Sequence, residues 1–345
     1  MFLKLLVSIL NEGNMMKILS MFISAIAISA MLFVACSGGG ETTDDSMGQQ
    51  GKRDDVYILV SALGSNSYFY DHKMGLKTAG NYFGVETQYK GPPDLNIPAM
   101  IQAIELAVAR KPGGILVVGF EESLNNAVNK AVEAGIPVVT LDSDLPNSKR
   151  VSFVGTGNYE AGYNGGMKLG ELVGGRGKVA LLTKVGQPNL EERLNGYKDA
   201  LATFSGVTIV RVADTKSEVS MAAQAAAAVL SSHQDLAGFG CVESSGGAGC
   251  ATALREAGRD GDIKVVAMDR DNDILNFIKK GVIDATVAQQ TALMPFYGLS
   301  MLINLNHGEV PISSDNVAAG ISGVPRSIDT GTILIDKSNC ELFMR

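Results

Sequence analysis

From Val56 onward the chain alternates short apolar runs with longer amphipathic ones, and glycine and proline mark the joins. Residues 56–62, 85–89, 114–118 and 137–141 are the short runs, and residues 68–83, 96–110 and 123–134 are the stretches between them. This succession predicts strands joined by crossover helices, the arrangement of a parallel α/β sheet. The series then starts again, with strands over 178–182, 207–212, 236–241 and 264–268 and helices over 190–204, 218–233, 249–257 and 271–280. It closes on a strand at 284–288, a helix at 291–306 and a strand at 332–335. Two series in one chain predict an α/β protein of two similar Rossmann-like lobes, each with a parallel sheet, and a ligand cleft between the two rows of strand ends. A length of 345 residues, more than one compact core usually serves, agrees with that division.

Ahead of Val56 the pattern changes. Lys17 precedes a mostly apolar run over 18–35 that ends in Leu32-Phe33-Val34-Ala35-Cys36, followed by Ser37 and three glycines. A small residue and then Cys at the end of such a run reads as a bacterial lipoprotein signal, cut so that Cys36 becomes a lipid-bearing N-terminus. A membrane-spanning helix is the competing reading, and the run is nearly long enough for one. The Ala-Cys junction and the Gly-, Ser-, Asp- and Gln-rich stretch after it argue for the signal. Residues 1–35 are therefore expected to be a signal peptide and 36–54 a flexible tether, with Met15 or Met16 as alternative starts to Met1. Export and lipidation predict a periplasmic or extracytoplasmic protein tied to a membrane through Cys36. The mature chain keeps Cys241, Cys250 and Cys340, an odd number that defines no disulfide framework. A Cys241–Cys250 pair and two separately buried thiols both remain open.

The net charge of −7, with acidic and basic residues interspersed, leaves no basic stripe for a phosphate backbone, so nucleic acid is not an expected partner. His72, His233 and His307 are too scattered to predict a metal site. Gly155-Thr156-Gly157 lacks the third glycine of a dinucleotide fingerprint, and no acid ends a strand about 20 residues later. No cofactor is expected.

Candidate chemistry gathers at the strand ends, where ligands of parallel sheets bind. The run over 136–141 empties into Asp142 and Asp144, and the run over 151–154 into Gly155-Thr156-Gly157-Asn158. Asp269 ends 264–268 as Asp142 ends its counterpart, Glu243 follows Cys241-Val242, and Gln289 follows Thr286-Val287-Ala288. A carboxylate accepts strong bonds from two neighbouring hydroxyls, so acids placed here suit a polyhydroxylated ligand. After the first strand, Asn66 offers an amide and Tyr68 and Phe69 offer rings for the C–H face of a sugar, unless the rings only open the helix and pack in the core. Arg193, on the helix over 190–204, either reaches the cleft or stays exposed beside Glu191 or Glu192.

These features together resemble the periplasmic sugar-binding proteins of the ribose-binding type, the type I solute-binding proteins of ABC transporters, from about Val56 to the C-terminus. The resemblance rests on Asn66-Ser67-Tyr68-Phe69, the GIPVVTLDSD strand end, GTGNYEAG, Arg193 with Gly196-Tyr197, Val266-Ala267-Met268-Asp269 and Thr286-Val287-Ala288-Gln289. It implies that Asn66, Tyr68, Phe69, Asp142, Arg193, Asp269 and Gln289 contact sugar, to which position in the cleft adds Asp144, Asn158 and Glu243. It also implies a three-stranded hinge, with crossings near 156–158, 289–291 and 317–320, and hence lobes of 55–156 plus 290–318 and 157–289 plus 319–345. Departures from the ribose pattern, namely Ser143 for Arg, Val242 then Glu243 for Asn, and Gly119 for Asn with Glu121 close by, point away from ribose itself. The DSD sequence is similar to that of receptors for rhamnose and autoinducer-2.

The expected function is capture of a monosaccharide-like sugar or polyol by lobe closure and delivery to an ABC permease by a protein acting as a monomer. A sugar or autoinducer-2-type receptor feeding a chemoreceptor or sensor kinase is the alternative. A carbohydrate-active enzyme ranks lower, because Asp142 and Asp144 are two apart on an extended segment and point to opposite sides, and no nucleophile elbow accompanies them. A sugar-responsive repressor would need a helix-turn-helix where this chain has an export signal.

Overall fold

The computed structural model describes residues 55–344 apart from Asn66, Glu309 and Val317, so the expected signal, tether and lipid site at Cys36 lie outside the described residues. In chain order the first lobe is built from β1 (Val56–Val60), α1 (Tyr70–Phe83), β2 (Glu86–Lys90), α2 (Ile97–Ala109), β3 (Gly114–Val118), α3 (Asn125–Glu133), β4 (Val138–Leu141) and β5 (Ser152–Gly155). The second takes α4 (Asn158–Leu172), β6 (Arg176–Thr183), α5 (Pro188–Ala202), β7 (Gly206–Asp214), α6 (Val219–Ser232), β8 (Leu236–Cys241), α7 (Ser244–Glu256), β9 (Lys264–Met268), α8 (Asn272–Lys280) and β10 (Ala285–Gln289). The chain then returns with α9 (Leu293–His307) and β11 (Ser327–Asp329) to the first lobe and ends with β12 (Thr332–Asp336) in the second.

Each sheet has six strands, in the orders β11-β5-β4-β3-β1-β2 and β12-β10-β9-β8-β6-β7. All pairings are parallel except that of β10 with β12. Central strands covered by helices on both faces must be apolar throughout, and β3, Gly-Ile-Leu-Val-Val, is buried at every position. Alternate residues serve opposite faces. Ile58, Val60, Ile115 and Val117 pack into one core, and Tyr57, Leu59, Leu116 and Val139 into the other. The second sheet repeats this, with Ala180, Leu182 and Phe239 on one side and Val179, Leu181 and Val266 on the other. Local signals set the boundaries: Asn96 Oδ1 accepts from Ala99 N–H at 3.0 Å to start α2, and Gly84, at φ 67°, ends α1.

The chain passes between lobes at 156–157, at 290–292 and at 330–331. The third does not lie near 317–320, because β11 still pairs with β5 of the first sheet. Residues up to Asp329 therefore stay with the first lobe, and the expected boundary at 318 moves accordingly. Helix α7 also begins at Ser244, five residues ahead of the expected start at 249. Gly246, Gly247 and Gly249 conceal its apolar periodicity: each is a close-packing position, Gly247 against Ala267 and Gly249 against Ala222. Cys241, Cys250 and Cys340 are buried free thiols.

One packing feature bears directly on the site. Helices α4 and α5 approach through glycines, so that a Cβ on Gly162 would overlap the Arg193 carbonyl and one on Gly196 would overlap the Tyr159 carbonyl. Gly162→Ala is expected to push α5 away and destabilise the protein by about 1–3 kcal/mol, the range for overpacking a tight contact. A lower melting temperature together with weaker ligand binding is the expected pair of readings, because Arg193 rides on the displaced helix.

Candidate ligand-binding site

Asp142 and Asp269 occupy matching places in the two lobes, directly after β4 and β9. The Asp142 N–H donates to Val154 O on β5 at 2.9 Å, and the Asp269 N–H donates to Val287 O on β10 at 2.9 Å. Both adopt left-handed backbone, with φ of 65° and 69°. That conformation costs a non-glycine residue roughly 1–2 kcal/mol, and aspartate is among the residues that tolerate it. Backbone strain of this kind clusters at functional sites. Here it recurs at one position in both halves.

The side chains converge. Tyr68, opening the segment ahead of α1, donates its hydroxyl to Asp142 Oδ1 at 2.6 Å. Gln289 Nε2 donates to Asp269 Oδ1 at 3.0 Å, and Thr286 Oγ1 donates to the Asp269 carbonyl at 2.6 Å. Burial pushes the Asp269 carboxyl up to about 6, against the opposing pull of Arg193 and the Gln289 bond, and repulsion from Asp142 adds to the rise. Burial likewise raises the Tyr68 hydroxyl well above its usual range, and that hydroxyl feels Asp142, Asp269 and Arg193 together. Groups from both lobes thus act on one small volume.

Arg193 is only 6% exposed. Its Nε donates to Asn158 Oδ1 at 2.8 Å and its Nη1 to Val242 O at 3.5 Å, while Glu191 accepts from Gly186 N–H instead. The exposed, Glu-paired alternative for Arg193 is thereby removed. Phe69 is buried in the first-lobe core and meets Tyr68 and His72 edge-on, with centroids 5.0 and 5.2 Å away. Of the two aromatic candidates, Tyr68 carries the polar contact and Phe69 supports it.

Between the lobes lies a cavity of about 400 Å³. Tyr68 and Asp71 face it from the first lobe, Asp269 and Arg270 from the second, and Gln289 and Thr291 from the two sides of the second passage. Arg270 is ion-paired with Asp71 across the cleft, and Thr291 Oγ1 donates to the same carboxylate oxygen at 3.0 Å. The lobes therefore meet directly at the cleft.

A periplasmic binding protein domain matches residues 56–309. The chain belongs to that family. The D-ribose/D-allose-binding protein of Pseudomonas aeruginosa is 26% identical over 268 residues, 74% of this chain and 80% of that protein. An arabinose-binding protein from Geobacillus stearothermophilus superposes with a TM-score of 0.81 at 31% identity, covering 85% of this chain and all of the other. The sugar-binding protein of a sugar ABC transporter from Bacillus halodurans gives 0.80 at 32% identity, covering 84% of this chain and all of the other. The two lobes are those of a type I periplasmic binding protein, an extracytoplasmic family of binding proteins rather than enzymes. Among the described residues no helix is long and apolar enough to cross a membrane, and no group of three or more His, Cys, Asp or Glu is placed to hold a metal.

The other two strand-end acids of this periplasmic binding protein have partners of their own within one lobe. Asp144 is paired with Arg150 through two contacts at 2.5 Å, accepts from Thr140 Oγ1 and Leu145 N–H at 2.7 Å, and does not line the cavity. These contacts make it a clamp on the turn after β4. Glu243 accepts from Thr215 Oγ1 and from Ser217 Oγ, the latter at 2.6 Å, and so fixes the turn after β7. Asn66 lies outside the described residues. At Gly119 a Cβ would strike the Ser143 carbonyl, so the loop after β4 occupies the place that an asparagine side chain would take.

Sequence reasoning missed Asp71, Arg270, Thr291 and His72. The first three lie one or two residues beyond recognised positions, and only the meeting of the lobes shows their partnership. His72 packs against Tyr68 and Phe69 with no hydrogen-bond partner among the described residues, and burial holds its pKa below the usual value. Arg270→Ala is expected to weaken ligand binding about fivefold, because it removes a partly exposed ion pair of roughly 1 kcal/mol that exists only while the lobes are together. Calorimetric titration checks the affinity, and a larger radius of gyration for the ligand-free variant in solution scattering checks the cause.

Proposed function

We propose that this protein is the capturing component of a sugar importer, held outside the cytoplasm by lipid on Cys36, that closes its lobes on a monosaccharide-like ligand and presents it to an ABC permease. The observation that carries this reading is the meeting of Asp142 and Tyr68 from one lobe with Asp269, Gln289, Arg193 and Asn158 around the other. Carboxylates, an amide and a guanidinium provide acceptors and donors for a ring of hydroxyls, and each hydroxyl left unmatched on closure costs about 1–3 kcal/mol, which separates one epimer from another. Contacts made only when both lobes touch the ligand favour the closed state, and no bond is made or broken. The Pseudomonas aeruginosa and Geobacillus stearothermophilus proteins, which bind pentoses or hexoses by name, support the ligand class.

A thermal-shift screen against pentoses, hexoses, deoxy sugars and polyols tests this reading. A true ligand at a hundred times its Kd adds about 2.7 kcal/mol to stability, a shift that is easily read. A flat response across all four classes would overturn it. For the anchor, Cys36→Ser is expected to move the protein from the membrane fraction to the released extracytoplasmic fraction, and unchanged membrane retention would refute the lipid on that residue.

A further inference from the structure

The cavity between the lobes is larger than the cluster that grips it. Asp142, Arg193 and Asn158 do not line it; it shares only Tyr68, Asp269 and Gln289 with the converging groups and runs outward from them along the second lobe. Its volume is about 400 Å³, the part beside Tyr68, Asp269 and Gln289 included. Its outer wall is chemically two-sided. Val219 at the start of α6 and Ala248 on α7 give it apolar surface, while Ile274 of α8 is 1% exposed and belongs to the core. Ser244 at the N-terminus of α7, Asn272 at that of α8, and the neighbouring Asp271 and Asp273 supply hydroxyl, amide and carboxylate groups.

Apolar surface beside hydroxyl, amide and carboxylate groups is what a pyranose or furanose ring matches, since such a ring presents a C–H face and an edge of hydroxyls. We infer that the ligand is a glycoside of two sugar units: the first held at Tyr68, Asp269 and Gln289, and the second lying in the outer chamber against Val219 and Ala248, with Ser244, Asp271 and Asn272 at its hydroxyls. This inference rests on the sugar-capture reading above and extends it from a single ring to a disaccharide. The Asp71–Arg270 pair at the cavity wall then closes over the joined rings.

The test is calorimetric titration of the full chain with aldopentoses and aldohexoses, and with disaccharides containing each of them, repeated on Val219→Trp. Val219 is 48% exposed, so the larger ring at that position fills the chamber without disturbing the core. One disaccharide is expected to bind at least about tenfold more tightly than its own free monosaccharide, and Val219→Trp to reverse that gain while leaving monosaccharide affinity within about twofold. A monosaccharide that outbinds every glycoside, or disaccharide affinity that ignores Val219→Trp, overturns this inference and leaves sugar capture standing. No binding of sugars of either kind overturns sugar capture itself.

Discussion

Arg193→Ala is expected to weaken ligand binding by more than about a hundredfold, because it removes charged donors whose bonds are worth about 1.5–3 kcal/mol each. The guanidinium is buried, bonds Asn158 Oδ1 at 2.8 Å, and supplies the positive charge that restrains the rise of Asp269. Without it three things fail together: a fork of donors is lost, Asn158 is released, and the Asp269 carboxyl moves still further above about 6, so that less of it is ionised near neutrality. Arg193→Lys keeps a charge but not the planar fork and is expected to fall between the two. Asp144→Ala is the informative control. Its carboxylate clamps Arg150, so its loss should lower the melting temperature through an unpaired, largely buried guanidinium, at about 3 kcal/mol, with affinity unchanged. Calorimetric titration beside thermal melts separates the two outcomes. Wild-type affinity in Arg193→Ala would remove the buried arginine from the site.

The strand-helix succession was legible because fully buried parallel strands are apolar at every position and end abruptly, and the acids at those ends stood out against the runs before them. Asp142 and Asp269 could be named from that contrast alone. Asp144 shares the same contrast and has a different fate, since its direction depends on Arg150, six residues away across a turn that the pattern does not describe. The partners of Glu243 were hidden for the same reason: the hydroxyls it accepts from, on Thr215 and Ser217, lie 26 to 28 residues upstream. The Asp71–Arg270 pair spans 199 residues and two lobes, and nothing local marks either partner. Strand β11 is three residues long, with only Ile328 turned inward, too short for any alternation to show. Periodicity thus finds elements and strand ends. Which end-group faces a ligand is decided by long-range pairing.

Ligand affinity is expected to fall by about tenfold for each pH unit below about 6, because the ionised fraction of a carboxyl at that pKa falls by that factor and a carboxylate is the stronger acceptor for sugar hydroxyls. The effect on stability has the opposite sign. Asp269 rises from 3.8 to about 6 on folding, chiefly through burial, so between these values the folded chain holds a proton that the unfolded chain does not. Its contribution therefore stabilises the fold as pH falls from about 6 towards 4, and is lost as pH rises through 6. His72 acts against it: its pKa is lowered by burial, so it stabilises the neutral-pH fold and withdraws that stability as pH falls below 6.5. The difference between wild type and Asp269→Asn isolates the carboxyl, since His72 is common to both. Melting curves and titrations from pH 7.5 to 5 should show wild type gaining stability relative to Asp269→Asn while losing affinity, with the variant's weaker affinity nearly independent of pH. Proton release on binding at pH 5.5, read from titrations in two buffers of different ionisation enthalpy, should accompany the wild type alone. If affinity stayed flat over that range, or if Asp269→Asn kept the wild-type slope, Asp269 would not be an acceptor for the ligand, and the match between the two strand-end aspartates would be a feature of the fold and not of the site.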